Sequence, residues 1–193
     1  MLLIFIIITI ITIYVIFKLL YNMTYQQSSL DNNKYYVRNL QDKLDASNII
    51  AQIRLNILIL TKHLYENRKK ENYIKYEEYI IRLHDKIKYT IFNETSDWDI
   101  GNTSYSIEKG KKLVFCLRSV KNKDKFHDMN LLMYVVLHEI SHIACPEKGH
   151  GDLFKSIFAF ITNVAVDINL YKKISFETEP KEYCGLIIDQ SII

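Results

Sequence analysis

Read by the spacing of its apolar side chains, the chain falls into blocks of different period. Leu2 to Phe17 carry no charge, and Leu19, Leu20 and Tyr21 follow Lys18. This run approaches the roughly 20 residues that a bilayer core requires, and Lys18 can snorkel to the interface. It has no basic leading region and no small-residue cleavage site, so residues 1–21 read as an uncleaved transmembrane anchor. Residues 22–36 turn polar and read as a tether. From Arg38 to about Asn67, apolar residues recur at Leu40, Leu44, Ile49, Ile50, Ile53, Ile57, Leu60 and Leu64, a mostly helical spacing. A second helix is expected from about Glu71 to Tyr89, on Tyr73, Ile74, Tyr76, Ile80, Leu83 and Ile87.

Trp98 to Gly101 read as a loop, after which the pattern becomes extended. Thr103 to Ile107 and Lys111 to Arg118 form two expected strands joined through Glu108-Lys109-Gly110. Asp128 is a candidate N-cap for a helix whose apolar residues, from Met129 to Leu137, cover almost its whole circumference. Such a helix is central and buried. It should stop near Cys145-Pro146, because proline disfavours a helical residue before it. A short polar loop, Glu147-Lys148-Gly149, leads to His150, where Gly149 and Gly151 allow a sharp backbone path. Asp152 could cap a last helix from Leu153 to about Tyr171, and Tyr183 to Ile193 could add a strand near the cleft.

The central helix carries the chemistry. His138 and His142 lie four apart and project from one face, so both imidazoles can reach one metal ion. Glu139 is about 100° round the helix, placed to touch a metal-bound water rather than the metal. Two histidines, a third protein ligand and one water make a catalytic zinc site, whereas a structural site would use four protein ligands. His150 is the favoured third ligand, as an imidazole beyond a flexible hinge. Cys145, Glu147, Asp152 and above all Asp167 are its rivals. Lone helical histidines are more often surface or core residues, so His63 and His84 are set aside, and His127 with them.

Composition adds bounds. About 160 residues follow the apolar segment and the tether, enough for one domain with a real core. Cys116, Cys145 and Cys184 are odd in number and far apart, and read as free thiols in a reducing compartment. The net charge is +3 from 25 basic and 22 acidic residues. Lysines cluster at 109, 111 and 112 and at 121, 123 and 125, without interleaved aromatic residues. They read as solvated turns, and nucleic acid is not an expected partner. Lys18, Lys34 and Arg38 all lie C-terminal to the apolar run, which places the following domain in the cytoplasm. Sequons at Asn22-Met23-Thr24, Asn93-Glu94-Thr95 and Asn102-Thr103-Ser104 point the other way.

His138-Glu139-x-x-His142 followed by Gly149-His150-Gly151-Asp152-Leu153-Phe154 resembles the HExxH…GHGxxF signature of the SprT-like and WLM zinc metallopeptidases. Four further segments look like the small, single-span WLM-type proteins of large DNA viruses. They are Val37-Arg38-Asn39-Leu40-x-Asp42-Lys43, Val114 to Arg118, Asn130 to Val135, and Pro180-x-x-Tyr183-Cys184-Gly185. The resemblance covers most of residues 35–193. It implies an α+β, compact zincin-like (minigluzincin) domain over 37–193, with a small antiparallel sheet and a central HExxH helix. It also implies one Zn²⁺ held by His138, His142 and His150, with Glu139 as general base in peptide hydrolysis. By the same resemblance Val114 to Arg118 would be the edge strand beside the active helix, pairing with a protein or peptide substrate by strand addition. The expected location is a membrane, of the cell or of a virion. Unlike the DNA-repair members, the sequence has an apolar N-terminus and no long tail of partner-binding motifs, which counts against a DNA–protein-crosslink substrate.

Overall fold

The computed structural model describes residues 2–96, 103–121 and 125–193. The expected loop at Trp98 to Gly101 and the sequon at Asn102 lie outside the described residues. Helix α1 (Leu2–Tyr21) comes first, and its described side chains, Ile4 to Ile16, are all exposed. Counted over the described residues, no helix is long and apolar enough to cross a membrane.

Residues 22–36, expected to be a tether, instead carry strand β1 (Met23–Gln27) and most of β2 (Lys34–Arg38), an antiparallel hairpin. Two polar anchors fix it. The Asn48 side-chain oxygen accepts from the Ser28 and Ser29 hydroxyls and the Ser29 N–H. The Asp31 carboxylate accepts from Tyr35 and Asn33, which holds its pKa below the ordinary value against the opposing effect of burial. These local side-chain bonds make a short polar strand stable where hydrophobic periodicity gives no signal.

Helix α2 (Lys43–Asn67) buries Ala46, Ile50, Ile53, Ile57, Leu60 and Leu64, an alternating three- and four-residue step that keeps one stripe on the core. It starts later than the apolar pattern suggested because Arg38 still belongs to β2, which leaves Leu40 and Leu44 exposed. The second expected helix is two, α3 (Glu71–Ile74) and α4 (Glu77–Ile87). Strands β3 (Ile91–Glu94), β4 (Tyr105–Ile107) and β5 (Lys112–Phe115) follow. Then come α5 (Met129–Ala144), α6 (Asp152–Asp167) and a closing hairpin, β6 (Lys181–Tyr183) and β7 (Leu186–Ile188).

The five-stranded sheet has the order β1-β2-β3-β5-β4 and is mixed, not antiparallel: β3 pairs parallel with both β2 and β5. Strand β5 is therefore an inner strand. The outer strand on that side is β4, so Val114 to Arg118, expected at the edge of the sheet, do not lie there. Gly110, at φ +101°, makes the β4–β5 turn, and an added Cβ there would lie 2.9 Å from the Ile143 side chain. The turn thus packs directly on the central helix. On α5, Leu131 to Leu137, Ile140, Ile143 and Ala144 are all buried, as expected of a core helix.

The segments around Arg38, Asp42 and Arg118 meet in a buried ion network. Arg118, 3% exposed, donates through Nε to Glu94 at 2.8 Å and through both terminal nitrogens to Asp42. Glu94, 2% exposed, also accepts from the Arg38 backbone N–H at 2.8 Å, and the Arg38 guanidinium donates to the Thr95 carbonyl. Strands β2 and β3, the end of β5 and the start of α2 are tied at one point. A second tie corrects the free-thiol reading: Cys116 and Cys184 form a disulfide, leaving Cys145 as the buried free cysteine. The cysteine argument for a cytoplasmic domain falls with it. Asn93 is buried in β3, a poor position for glycan attachment.

Candidate metal centre

Helix α5 begins where Asp128 caps it, its carboxylate accepting from the Leu131 N–H at 2.9 Å. It ends at Cys145, whose extended backbone precedes Pro146. Both ends agree with the sequence reading. The helix places His138 and His142 one turn apart on the face that looks out of the core. Gly149 then takes φ +81°, a left-handed conformation that sends His150 back toward them. Gly151 precedes α6 as its N-cap residue, and Asp152, expected to cap that helix, is its first residue and makes no capping bond.

The three histidine Nε2 atoms form a triangle with all sides 3.1 Å. Three nitrogens about 2.0–2.1 Å from a tetrahedral zinc lie roughly 3.3 Å apart, so the triangle fits one ion with a fourth position open to the cleft. The donor set fits as well, being three imidazoles that must be neutral to bind. Burial, then the neighbouring imidazoles, pushes His138 down to about 3 and His142 down to about 4. Among the described residues these three are the only His, Cys, Asp and Glu side chains grouped to hold a metal. Asp167 lies elsewhere, lining a separate groove with Tyr73, and is not the third ligand. His63 approaches the Tyr73 hydroxyl, His84 stacks on Tyr65, and His127 accepts from the Cys184 N–H.

Phe154 has a role that its place in an apolar pattern did not reveal. Its ring stacks on His142 at 4.2 Å and meets His138 and His150 edge-on at 5.1 and 4.9 Å. With Phe158 edge-on to His138, it forms an aromatic floor that restricts the ligand rings. The spacing Gly-His-Gly-x-x-Phe is thus physical: the phenylalanine lies in the first turn of the helix that follows the third ligand.

Glu139 is 6% exposed, lines the cleft, and makes no hydrogen bond to another described residue. Burial raises its carboxyl to about 8. The Tyr134 and Tyr183 hydroxyls, candidates for steadying a developing negative charge, are committed elsewhere. Tyr134 donates to the Gln190 carbonyl and accepts from the Ile192 N–H. Tyr183 donates to the Cys116 carbonyl, while the Cys116 N–H donates to the Ser104 hydroxyl, 2.6 Å from that of Tyr183. Ser104 must therefore donate to Tyr183, and the ring of bonds closes.

The cleft has a volume of about 640 Å³ and lies between α5, strand β4 and the β6–β7 hairpin. The α+β domain thus brings the His-Glu-x-x-His helix, a third histidine just before the next helix and the outer strand β4 to one cleft. The chain belongs to the family of the uncharacterized protein R325 of Acanthamoeba polyphaga mimivirus, being 42% identical over 171 residues, which are 88% of this chain and 84% of that one. The uncharacterized protein 136R of Invertebrate iridescent virus 6 is 38% identical over 87 residues, 44% of this chain and 46% of its own. Among solved structures, Wss1 from Saccharomyces cerevisiae shares the fold. Its TM-score is 0.51 at 21% identity, and the match covers 69% of this chain and 88% of Wss1. No family model matches the sequence.

Proposed function

We propose that the protein is a WLM-type zinc endopeptidase held at a membrane by α1. The observation that carries the enzymatic reading is the Nε2 triangle of His138, His142 and His150 beside a buried Glu139 that has no hydrogen-bond partner among the described residues, opening onto a cleft. A structural zinc site has no use for that carboxylate or for that opening. Zinc, when bound, supplies a water of pKa about 7 and polarises the scissile carbonyl. Glu139 accepts the water proton on its carboxylate and delivers it to the departing amine. Its low-dielectric surroundings strengthen each of these charge interactions. Support for the anchor is the charge-free apolar run Leu2 to Phe17 in the sequence and the outward placement of Ile4 to Ile16.

Full-length protein in detergent, with bound zinc measured alongside cleavage of an unstructured protein, tests the enzymatic reading. One zinc per molecule is expected, with Glu139→Gln keeping metal while losing at least about 10²-fold in rate, and His150→Ala losing metal. Stoichiometric zinc with no cleavage above the Glu139→Gln background would refute it. Retention in the membrane pellet after an alkaline wash, lost when residues 2–21 are removed, tests the anchor.

A further inference from the structure

The cleft wall that carries Tyr183, Leu186 and Ile188 is the short β6–β7 hairpin. Among the described residues this hairpin pairs only within itself, as a two-stranded sheet apart from the five-stranded one. Contacts near its two ends therefore hold it to the domain. Past its base, the Gln190 carbonyl accepts from the Tyr134 hydroxyl, and the Ser191 N–H donates to the Glu177 carboxylate at 2.7 Å. Its tip is the turn Cys184-Gly185, between the paired residues Tyr183 and Leu186. Both turn residues have positive φ, +50° and +89°, the left-handed pair that closes a tight hairpin. That conformation is uncommon for a cysteine, and here the bridge to Cys116, just past β5, fixes it. Hydrogen bonds support the tip: Ser119 donates to Glu182, the Cys184 N–H to His127, and Tyr183 joins Ser104 and Cys116.

The wall is thus a flap, hinged past Ile188 and fastened at its tip by one covalent bond. The bridge is reachable from one side. Cys116 is 6% exposed, whereas Cys184 is half-buried in a turn whose next two residues are exposed. His127 Nε2 lies 3.4 Å from Cys184 Sγ, close enough to take the thiol proton whenever the bridge is open. We propose that Cys116–Cys184 is a thiol-exchange site: a dithiol reductant opens it through Cys184, which releases the flap and disables the cleft. This rests on the endopeptidase reading and names the regulation of its site. In the exchange, a thiolate of the dithiol attacks Cys184 Sγ, and the Cys116 thiolate leaves and takes a proton. The second thiol, deprotonated, attacks the reagent sulfur of the mixed disulfide, closing the oxidised dithiol and releasing Cys184, which is protonated in turn. Two electrons pass from the dithiol to the bridge. Closure with glutathione disulfide runs in the opposite sense: His127 takes the Cys184 proton, the thiolate attacks, one glutathione leaves, and Cys116 expels the other. The bridged form is the competent one, because Tyr183, Leu186 and Ile188 line the cleft only while the tip is held.

The test compares full-length, zinc-loaded protein in detergent before and after reduction with dithiothreitol, desalted without oxygen so that no added thiol competes for zinc. Zinc content is measured in both states and should not change. Hydrogen exchange should show residues 182–188 losing protection by about tenfold or more on reduction, while α5 changes by less than about twofold. Casein cleavage should fall by about fivefold or more through a higher KM, and glutathione disulfide should restore both readouts. His127→Gln should slow that restoration by about tenfold. The Cys116→Ser/Cys184→Ser pair should match the reduced protein in exchange and in cleavage. Unchanged protection of 182–188, an equal loss of protection in α5, loss of zinc on reduction, or cleavage that is indifferent to reduction would overturn the proposal. A flap released on reduction with no casein cleavage in either state would overturn the endopeptidase reading alone.

Discussion

Replacing Arg118 by Met removes the charge that ties the end of β5 to β3 and to the start of α2, while keeping most of the side-chain volume. In the native protein Glu94 is almost wholly enclosed and is met by Arg118 Nε at 2.8 Å and the Arg38 N–H at 2.8 Å. Truncating one partner of a buried ion pair costs roughly 3–5 kcal/mol, because the other charge is left without compensation. At about 2–4 °C per kcal/mol for a domain of this size, the melting temperature should fall by about 6–20 °C. The loss should also depend on pH. Burial already raises Glu94 above its ordinary pKa, while Arg118 and Arg38 pull it back. Without Arg118 it rises further, so the variant carries a penalty above the unfolded value near 4.5 that disappears as pH falls and the carboxyl takes a proton. In the wild type, the Arg118 hydrogen bond lowers Asp42, whose stabilising contribution is present above 3.8 and lost as pH falls through the native value. Both effects narrow the gap between the proteins toward low pH. Urea denaturation of full-length wild type and Arg118→Met in detergent, at several values from about pH 7 to 4, measures it. A cost under about 1 kcal/mol, or one constant with pH, would refute the account of a buried charge left unpaired.

Three further outcomes are expected. The Cys116–Cys184 bridge closes a loop of 68 residues in sequence separation, so reduction or the Cys116→Ser/Cys184→Ser pair should lower stability by roughly 4 kcal/mol. Three alkylatable thiols in the unfolded but unreduced protein would contradict the bridge. His127 is held below its ordinary pKa by burial, while its Nε2 accepts the Cys184 N–H, so protonation opposes the native hairpin. Stability of β6–β7 should therefore fall as pH drops below about 6.5 and continue falling through the lower native pKa, seen as reduced amide-exchange protection near Cys184 at about pH 5, after correction for the slower intrinsic exchange. Gly110→Ala should destabilise by about 1–3 kcal/mol in thermal melts, since the new methyl meets Ile143 at 2.9 Å and φ is +101°.

The local chemistry was legible in the sequence. Four-residue spacing put His138 and His142 on one helix face, Asp128 and Pro146 bounded that helix, and glycines on either side of His150 marked its return to the other two histidines. Each of these follows from the geometry of a few neighbouring residues, which sequence order preserves. Strand partnership does not follow in that way. Ile91–Glu94 is a short strand paired in parallel on both sides, and nothing in its four residues reveals its place at the sheet centre. For the same reason the resemblance, which put Val114 to Arg118 at the edge beside the central helix, could not show that β4 is the outer strand there. The polar stretch before α2 became a hairpin through Asn48 and Asp31, contacts partly to residues distant in sequence. Cys116 and Cys184 became a bridge only because the closing hairpin returns to the end of β5. Sequence alone determined the placement of the three histidines and Glu139 on one helix and the turn after it. Tertiary structure decided what surrounds that geometry, because sheet order, ion networks and disulfides depend on which distant segments meet.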